Sequence, residues 1–279
     1  MNKLVFFLTI FSTVAFSSDI KVMSFNTMCD ICKGSSYFGY HDRLNGIRNI
    51  LNKHAPDLVS LQEIRSYSQV VDLMKGLPQY EFIASNYLFM SYADPTLLYN
   101  KSKFKLIDKG QFWLGPREGS FSLGWKLSLP RQVHWIKLEG KTGPFIFVGS
   151  HFDNRLENLL GAAEMVNQYF KKVKEPIIFA ADTNLTVDMP EYKKLIDGVF
   201  SNSFDKKENF QVLGEYQSDK DICYTRKGKK FPECRVDHIL LSKELDWRII
   251  NFTVDATKSA NGEFPSDHRP VIISIKTEN

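Results

Sequence analysis

Three consecutive residues near the end of the chain carry a carboxylate, an imidazole and a guanidinium: Asp267, His268 and Arg269. Prolines flank this segment on both sides, and the alternating apolar run 271–275 that follows it predicts a strand. A carboxylate beside an imidazole binds hard cations and transfers protons near neutral pH. For a single triplet of this kind, a solvated loop that holds a local salt bridge is the simpler explanation. Its interpretation therefore depends on the other strand ends.

Similar side chains stand at the ends of other predicted strands. Taken singly, each has a structural alternative as a turn former, a buried histidine or one half of an ion pair. The residues are Asn26, Glu63, His151, Asp182, Asn184 and Asp237. Taken together, they offer oxygen and imidazole ligands, which favour Mg²⁺, with Ca²⁺ and Mn²⁺ as alternatives, over Zn²⁺. Metal-assisted hydrolysis of a phosphoester is the reaction class that uses such a set.

The elements that would position these residues are many strands with few helices between them. Strand patterns cover 20–26, 57–63, 80–84, 96–99, 104–107, 131–138, 144–150, 176–181, 235–241 and 271–275. Helical spacing covers 43–54, 70–74 and 156–170, and a long loop covers 113–129. The helices exclude an all-β protein, and the hairpins exclude a strict β-α-β repeat. We predict one α/β domain with two sheets and outer helices.

The bulk composition is that of an ordinary globular protein: 279 residues, 43% hydrophobic, 24% charged and a formal net charge of +4. Residues 1–18 differ, because one lysine precedes an apolar run that ends in small residues. This is the pattern of a secretory signal peptide rather than of a membrane span. We predict cleavage near Ser17 and Ser18, a mature domain over 19–279, and export to the periplasm or the medium. A monomer without stable membrane insertion is expected.

The four cysteines fit an oxidising compartment. Cys223 and Cys234 flank a polar, basic segment, and a disulfide between them is predicted. Cys29 and Cys32 form a C-x-x-C motif, for which a redox or zinc function is the alternative. A single pair supplies too few ligands for zinc, so a second local disulfide is favoured.

Short motifs along the chain resemble, in order, those of the DNase-I-like endonuclease/exonuclease/phosphatase superfamily, and in particular of its secreted bacterial-type members. The motifs are Ser24-Phe25-Asn26, Leu61-Gln62-Glu63, Gly149-Ser150-His151-Phe152-Asp153, Asp182-Thr183-Asn184, Arg235-Val236-Asp237-His238 and Ser266-Asp267-His268. The resemblance extends from about Ile20 to Ile275. It implies a four-layer α/β sandwich of two mixed, mainly antiparallel β-sheets flanked by helices.

The resemblance also implies metal-binding residues. Glu63 resembles the main metal ligand of the family, and Asp267 resembles a second one. Asn26 resembles the residue that supports the metal or the scissile phosphate.

Four further residues resemble the catalytic residues of the family, and a fifth resembles a phosphate-binding one. His151 resembles the imidazole that contacts a phosphate oxygen or protonates the leaving group, and His268 the second imidazole, which Asp237 would hold in the useful tautomer. Asp182 resembles the residue that orients or deprotonates the attacking water, with Asn184 as its phosphate-binding companion. Whether Asp182 or His268 accepts the proton stays open.

Two arginines also resemble family residues, and at one position the sequence differs from the family pattern. Arg131 ends a Leu-Pro-Arg motif that resembles one in a subgroup of secreted bacterial members, where it would clamp a phosphate; a structural cation is the alternative. Arg65 follows a predicted strand as in the DNase branch and would bind substrate. The family commonly supports the first imidazole with a Glu, but Ala93 occupies about that place and Asp94 is the nearest carboxylate. The partner of His151 therefore stays open.

The substrate class depends on charge. The net positive charge, Arg65 and the basic segment 226–230 favour nucleic acid, although a solvated hairpin explains that segment equally well. We predict a divalent-metal-dependent nuclease that acts on DNA or RNA with little sequence specificity. A phosphodiesterase or phosphatase for sphingomyelin or inositol phosphates is the alternative, and the aromatic stretches 112–113 and 121–125 keep it open. A non-catalytic binding module on the same fold is the alternative of another class.

Overall fold

The computed structural model describes residues 19–32, 39–85, 94–205, 211–214 and 233–277. Its strands are β1 (Ile20–Asn26), β2 (Leu58–Gln62), β3 (Tyr80–Ile83), β4 (Thr96–Asn100), β5 (Lys105–Trp113), β6 (Gln132–Gly140), β7 (Gly143–His151), β8 (Ile177–Asp182), β9 (Phe200–Asn202), β10 (Gln211–Gly214), β11 (Asp237–Ser242), β12 (Trp247–Val254) and β13 (Val271–Thr277). Its α-helices are α1 (Tyr40–His54), α2 (Tyr67–Met74), α3 (Leu156–Phe170) and α4 (Pro190–Asp197).

The strands form two mixed sheets. One has the order β10-β12-β13-β1-β2-β4-β3 and the other β5-β6-β7-β8-β11-β9. In the first sheet β1 pairs in parallel with β2, and β10 with β12; in the second, β7 pairs in parallel with β8. The remaining neighbours are antiparallel. The predicted arrangement of two mainly antiparallel sheets is confirmed.

Three apolar clusters join the elements into four layers. The central cluster fills the space between the sheets, with Val22 and Leu97 from one sheet and Phe147 and Ile239 from the other. A second cluster packs α3 and α4 on the β8 side, and a third packs α1 and α2 on the β1 side. Burial on both faces explains why the central strands are almost continuously apolar in sequence.

Gly149 of β7 permits a close approach of the two sheets. A Cβ atom at this position would stand 2.4 Å from Leu97 Cδ2 in β4 and 2.5 Å from Ser60 Oγ in β2. A side chain larger than hydrogen does not fit there unless the side chains of Leu97 and Ser60 shift. The two sheets are therefore in close contact near the end of β7 that leads to His151.

The helices begin and end for local reasons. Ser66 caps α2 in a capping box, because its side chain accepts from the backbone N–H of Gln69 while the Gln69 side chain accepts from the backbone N–H of Ser66. The bounds of α3 are those predicted, since leucine, alanine and valine recur on one face. Among the described residues, no helix has both the length and the apolar character that crossing a membrane would require.

Some sequence predictions need correction. The strand predicted over 104–107 extends to Trp113, because β5 is an edge strand with exposed charged residues and no clear alternation. The elements α4, β9, β10 and β12 were not predicted, and in β12 a register shift between Ile249 and Asn251 breaks the two-residue period. The Cys29–Cys32 disulfide is confirmed.

Several predictions concern residues outside the described part of the chain. The predicted signal peptide 1–18, Ala93, Cys223 and the basic segment 226–230 all lie there. Cys234, the predicted partner of Cys223, is buried.

Candidate active site

The predicted site residues converge because the strands that carry them end at one rim of the sandwich. Asn26 ends β1, and Glu63 follows the neighbouring β2. His151 ends β7, and in the strand register it stands beside Asp182, the last residue of β8. Asp182 stands in turn beside Asp237, the first residue of β11. Residues separated by more than two hundred positions thus share one site.

Asn26 connects the two sheets through its side-chain amide. Its Nδ2 atom donates to Oε1 of Glu63 at 2.9 Å and to Oδ2 of Asp182 at 2.9 Å. Its Oδ1 atom accepts from the backbone N–H of Met28 at 3.0 Å. The amide nitrogen therefore faces both carboxylates and holds them in place. The role of Asn26 as a metal ligand stays a prediction.

Glu63 has a backbone conformation that is unusual for a residue other than glycine, with φ at 67°. Its second carboxylate oxygen, Oε2, accepts from the backbone N–H of Cys29 at 2.7 Å. Together with the bond from Asn26, this gives each oxygen of Glu63 a donor while leaving further lone pairs available. The carboxylate is fixed in one orientation at the rim.

His268 and Asp237 form the first of two imidazole–carboxylate pairs. His268 Nδ1 lies 2.7 Å from Asp237 Oδ2, and His268 Nε2 lies 3.8 Å from Asp182 Oδ2. The bond at Nδ1 places the other ring nitrogen toward Asp182. The structure thus brings together the pair that the family resemblance implied.

His151 and Asp94 form the second pair. His151 Nδ1 lies 2.8 Å from Asp94 Oδ2, and His151 Nε2 lies 3.6 Å from Asp182 Oδ2. Asp94 is therefore the carboxylate partner of His151 that the sequence left open. Both pairs direct an Nε2 atom at the same oxygen of Asp182.

Burial and the neighbouring charges separate the pKa values of these groups. Burial raises the pKa of Asp237 to about 6, with Asp182 adding to the effect. Burial alone would lower the pKa of His268, but the carboxylates of Asp237 and Asp182 raise it to about 10. Burial likewise opposes ionisation of Asp182, but His268 and His151 keep its pKa below the usual range. At neutral pH the site holds an ionised Asp182 facing a protonated His268.

Arg131 joins the site through Asp94. Its Nη1 atom lies 3.4 Å from Asp94 Oδ2, and both side chains are largely buried. Burial raises the pKa of Asp94, but His151 and Arg131 outweigh it and hold that pKa below the usual range. The predicted phosphate-binding role of Arg131 stays a prediction.

Of the other predicted residues, Asn184 contacts Asp182, whereas Arg65 contacts the loop after β1. Asn184 donates from its backbone to Asp182 Oδ1 at 3.0 Å and from Nδ2 to the carbonyl of Phe152 at 3.1 Å. Arg65 is exposed and forms an ion pair with Asp30 at 3.0 Å. The half-buried carboxylate of Asp267 directly precedes His268. The predicted substrate and metal roles of these residues stay predictions.

Arg43 supports the site and was not identified from the sequence. Its buried guanidinium donates to the carbonyls of Thr27, Met28, Cys29 and Pro265. It thereby ties the loop after β1 to the loop before β13. In the sequence, Arg43 could have been noticed because it stands one helical turn before Ile47, on the apolar face of a predicted helix.

His238, beside Asp237 in sequence, points away from the catalytic group. Its Nε2 atom lies 2.9 Å from the carbonyl oxygen of Leu185, and its ring packs on Tyr192. Burial lowers the pKa of His238 to about 3. It is a neutral core residue.

The carboxylates at this rim are hard ligands that suit a divalent cation. Asp182, Asp237 and His268 offer atoms within 4.8 Å of one another, but the protonated His268 cannot coordinate a cation. Asp237 Oδ1 is buried and has no hydrogen-bond partner among the described residues. Cys29 and Cys32 also lie near Glu63, but their disulfide leaves only the carboxylate as a hard ligand.

A four-layer sandwich with carboxylates and imidazoles at one rim of its sheets defines the DNase-I-like class of fold. Residues 23–268 match the endonuclease/exonuclease/phosphatase family, and the chain belongs to this family. Its members are hydrolases that act on phosphoesters, and they generally use divalent metals. The comparison with curated protein sequences gives no significant match.

Solved structures share the fold. A mannosyl-6-phosphatase from Bacteroides thetaiotaomicron is 24% identical with a TM-score of 0.77, over 92% of this chain and 99% of that one. TDP2 from D. rerio, complexed with single-strand DNA product, is 20% identical with a TM-score of 0.70, over 94% and 100%. The human Nocturnin catalytic domain with bound sulfate is 16% identical with a TM-score of 0.66, over 93% and 95%. At these identities the similarity establishes the fold.

Proposed function

We propose that the chain is an exported, divalent-metal-dependent phosphodiesterase that hydrolyses the backbone of DNA or RNA with little sequence preference. The observation that carries the proposal is the convergence of two imidazole–carboxylate pairs on one carboxylate, Asp182. Two imidazoles beside three buried carboxylates serve proton transfer and anion binding, and a non-catalytic binding module has no need of them.

Asp182 receives the proton of the attacking water in this proposal. It is ionised at neutral pH, and Asn26 and the backbone of Asn184 fix the direction of its oxygens. A carboxylate held in this way orients a water molecule and accepts its proton as the bond to phosphorus forms.

His268 acts as a cation in the same step. The carboxylates of Asp237 and Asp182 raise its pKa and favour its protonated form at neutral pH, which makes Asp182 the better base. His268 binds a non-bridging phosphate oxygen and stabilises the charge that develops there. His151, held by Asp94, donates from Nε2 to the phosphate or to the leaving oxygen.

Glu63 and Asp267 are the proposed metal ligands, and Asn26 supports Glu63. A bound divalent cation supplies Lewis-acid stabilisation of the phosphate oxygens. The oxygen-rich set favours Mg²⁺ or Mn²⁺.

Incubation of residues 19–279 with plasmid DNA, RNA, sphingomyelin and inositol phosphates tests the proposal, with Mg²⁺ and with chelator. We expect nicking of plasmid or loss of RNA in Mg²⁺ and none with chelator. His268→Ala should lower the rate at least about 10²-fold. The matched control is His54→Ala, because His54 also pairs with a carboxylate, Asp255, at 2.6 Å outside the proposed site.

The outcomes separate the alternatives. Intact nucleic acids together with consumption of a lipid or inositol phosphate would reject the nuclease and retain the hydrolase. Turnover of none of the four substrates in any divalent metal would reject catalysis and favour a binding module. Equal loss of activity in the His54 and His268 variants would reject the assigned role of His268.

A phospholipid phosphodiesterase is the second candidate, favoured by one observation. The loop before Arg131 exposes Phe121, Trp125, Leu127 and Leu129, with exposed fractions of 53%, 36%, 72% and 64%. Trp125 and Leu129 line a small depression together with Arg131. Apolar side chains beside a proposed phosphate ligand suit a lipid substrate.

A further inference from the structure

We propose that the Cys29–Cys32 disulfide is a positioning element of the metal site, through which the oxidised chain binds a divalent cation more tightly than the reduced chain. The inference rests on the proposed function, because it takes Glu63 as a metal ligand. In this proposal the C-x-x-C disulfide fixes the orientation of the Glu63 carboxylate.

The loop of residues 27–32 contacts Glu63 directly. The backbone N–H of Cys29 donates to Glu63 Oε2 at 2.7 Å, and the sulfur atoms lie within 4.8 Å of the Glu63 carboxylate. A hydrogen bond to a charged acceptor is short and strong. The direction of the Glu63 carboxylate therefore depends on the position of the Cys29 backbone.

The backbone at this contact is held in an unfavourable conformation on both sides. Met28 has φ at 56° and Glu63 has φ at 67°. Side-chain-bearing residues keep such conformations only where the surroundings over-determine them. Restraints on the loop are therefore restraints on Glu63.

The restraints on the loop differ in strength. Arg43 is buried and holds the carbonyls of Thr27, Met28 and Cys29, so it fixes the first half. In the second half, Asp30 pairs with the exposed Arg65 and accepts from Gln69 Nε2 of α2 at 3.0 Å, and the backbone N–H of Cys32 donates to the carbonyl of Cys29 at 3.3 Å. The disulfide is the covalent restraint that closes the turn from Cys29 to Cys32. Its loss leaves the second half of the loop held by hydrogen bonds and one exposed ion pair alone.

Reduction is chemically accessible because Cys32 is exposed while Cys29 is buried. A dithiol attacks at Cys32 Sγ, and the Sγ–Sγ bond breaks. The reagent is oxidised to its own disulfide, and its two protons are transferred to the sulfur atoms of Cys29 and Cys32, which become thiols. Two free thiols no longer close the turn from Cys29 to Cys32 covalently.

Titration of metal-free residues 19–279 with Mn²⁺, followed by electron paramagnetic resonance, tests the inference without any substrate. The oxidised protein is compared with protein reduced by a dithiol that is then removed under nitrogen. We expect the Kd for Mn²⁺ to rise about tenfold on reduction, as for other supporting contacts of metal ligands. The Cys29→Ser/Cys32→Ser double variant should show the weaker Kd and no further change on reduction.

The controls distinguish the two proposals. If Glu63→Gln binds Mn²⁺ as tightly as the parent chain, the proposed metal site itself fails. If Glu63→Gln loses binding but the parent Kd is unchanged by reduction, the proposed function stands and the disulfide inference is overturned. A reductant effect that persists in the double variant also overturns it, because the effect then comes from other cysteines.

If the disulfide only stabilises the fold, its reduction lowers the Tm in chelator but leaves the Kd of the folded chain for Mn²⁺ unchanged. That result also overturns the inference. Near-ultraviolet circular dichroism at the titration temperature verifies that each sample is folded. If the double variant does not fold, Cys32→Ser alone breaks the same bond and keeps the buried Cys29. The same weaker Kd is expected for it.

Discussion

The Nδ1 atom of His151 lies 2.8 Å from Oδ2 of Asp94, a residue 57 positions earlier in the chain. Asp94 lies two residues before the start of β4 in one sheet, whereas His151 ends β7 in the other. The contact therefore crosses between the sheets at the rim. It gives His151 a carboxylate partner equivalent to the one that Asp237 provides for His268.

Replacement of this partner should slow catalysis without removing the metal. In Asp94→Asn the carboxylate that fixes the His151 tautomer is lost, so we expect kcat to fall about 10²-fold with a small change in KM. Steady-state kinetics and the Kd for Mn²⁺ are the measurements. Glu157→Gln is the matched control, since Glu157 pairs with Lys126 on the surface. A variant with unchanged kcat would contradict the role assigned to Asp94.

Asn26→Asp should destabilise the protein through charge rather than shape. The isosteric change removes both Nδ2 donors and places a third carboxylate against Glu63 and Asp182. We expect a loss of about 3 kcal/mol in the free energy of unfolding near pH 7. Urea unfolding should show a smaller loss near about pH 5, because protonation of one carboxylate relieves the repulsion.

The exposed Asn52 offers a matched control for that change. Asn52 lies on α1, where it accepts from Gln79 at 3.4 Å. Asn52→Asp should change stability by less than about 0.5 kcal/mol. Equal losses in the two variants would contradict the role of Asn26 as a link between carboxylates.

Arg43→Met should destabilise the protein, because it removes the hydrogen bonds that join the loop after β1 to the loop before β13. The change leaves the buried carbonyls of Thr27, Met28 and Pro265 without their donor. We expect a loss of about 3 kcal/mol, measured by urea unfolding. Arg48→Met on the same helix is the control, since Arg48 is half-buried and binds carbonyls at the end of α2. Comparable losses for both arginines would contradict the prediction.

His134 should make the protein less stable in acid. Burial lowers the pKa of His134 to about 4. An unfolded histidine titrates near about 6.5, so the unfolded chain takes up the proton first, and stability falls as the pH drops between these values. From about pH 7 to about pH 4.5 the contribution of this group amounts to about 2 kcal/mol.

Urea unfolding at the two pH values isolates the effect of His134. His134→Gln keeps a side chain able to hydrogen-bond with Ser85, which lies 2.9 Å from the ring, but it does not titrate. The acid-induced loss should therefore be smaller in the variant than in the parent chain. The opposite order would contradict the expected neutral state of His134.

The elements that the sequence predicted well are those whose burial follows a clear period. α3 has the predicted bounds because one face is apolar throughout, and the strand ends that carry Asn26, His151 and Asp182 follow alternating or largely apolar segments. α4 was missed because Pro190 begins it and charged residues fill much of its surface. Periodicity reports burial, and it fails where an element is short, irregular or at an edge.

The supporting contacts of the site could not be predicted because they join distant parts of the chain. Arg43 binds the carbonyl of Pro265, 222 positions away, and no local pattern encodes such a pair. Asp94 was named as the nearest carboxylate, but only the pairing of the sheets places it beside His151. Motifs identify the side chains that do chemistry, whereas the fold determines which residues hold them.

Gly149 links the interior of the protein to its chemistry. The sheets are in close contact there, against Ser60 and Leu97, two residues before His151. One sheet carries Asn26 and Glu63, and the other carries His151 and Asp182. Even a methyl group at position 149 would clash with the side chains of Leu97 and Ser60 and force them to shift. A substitution that touches none of the reacting groups would thereby disturb the packing two residues away from one of them.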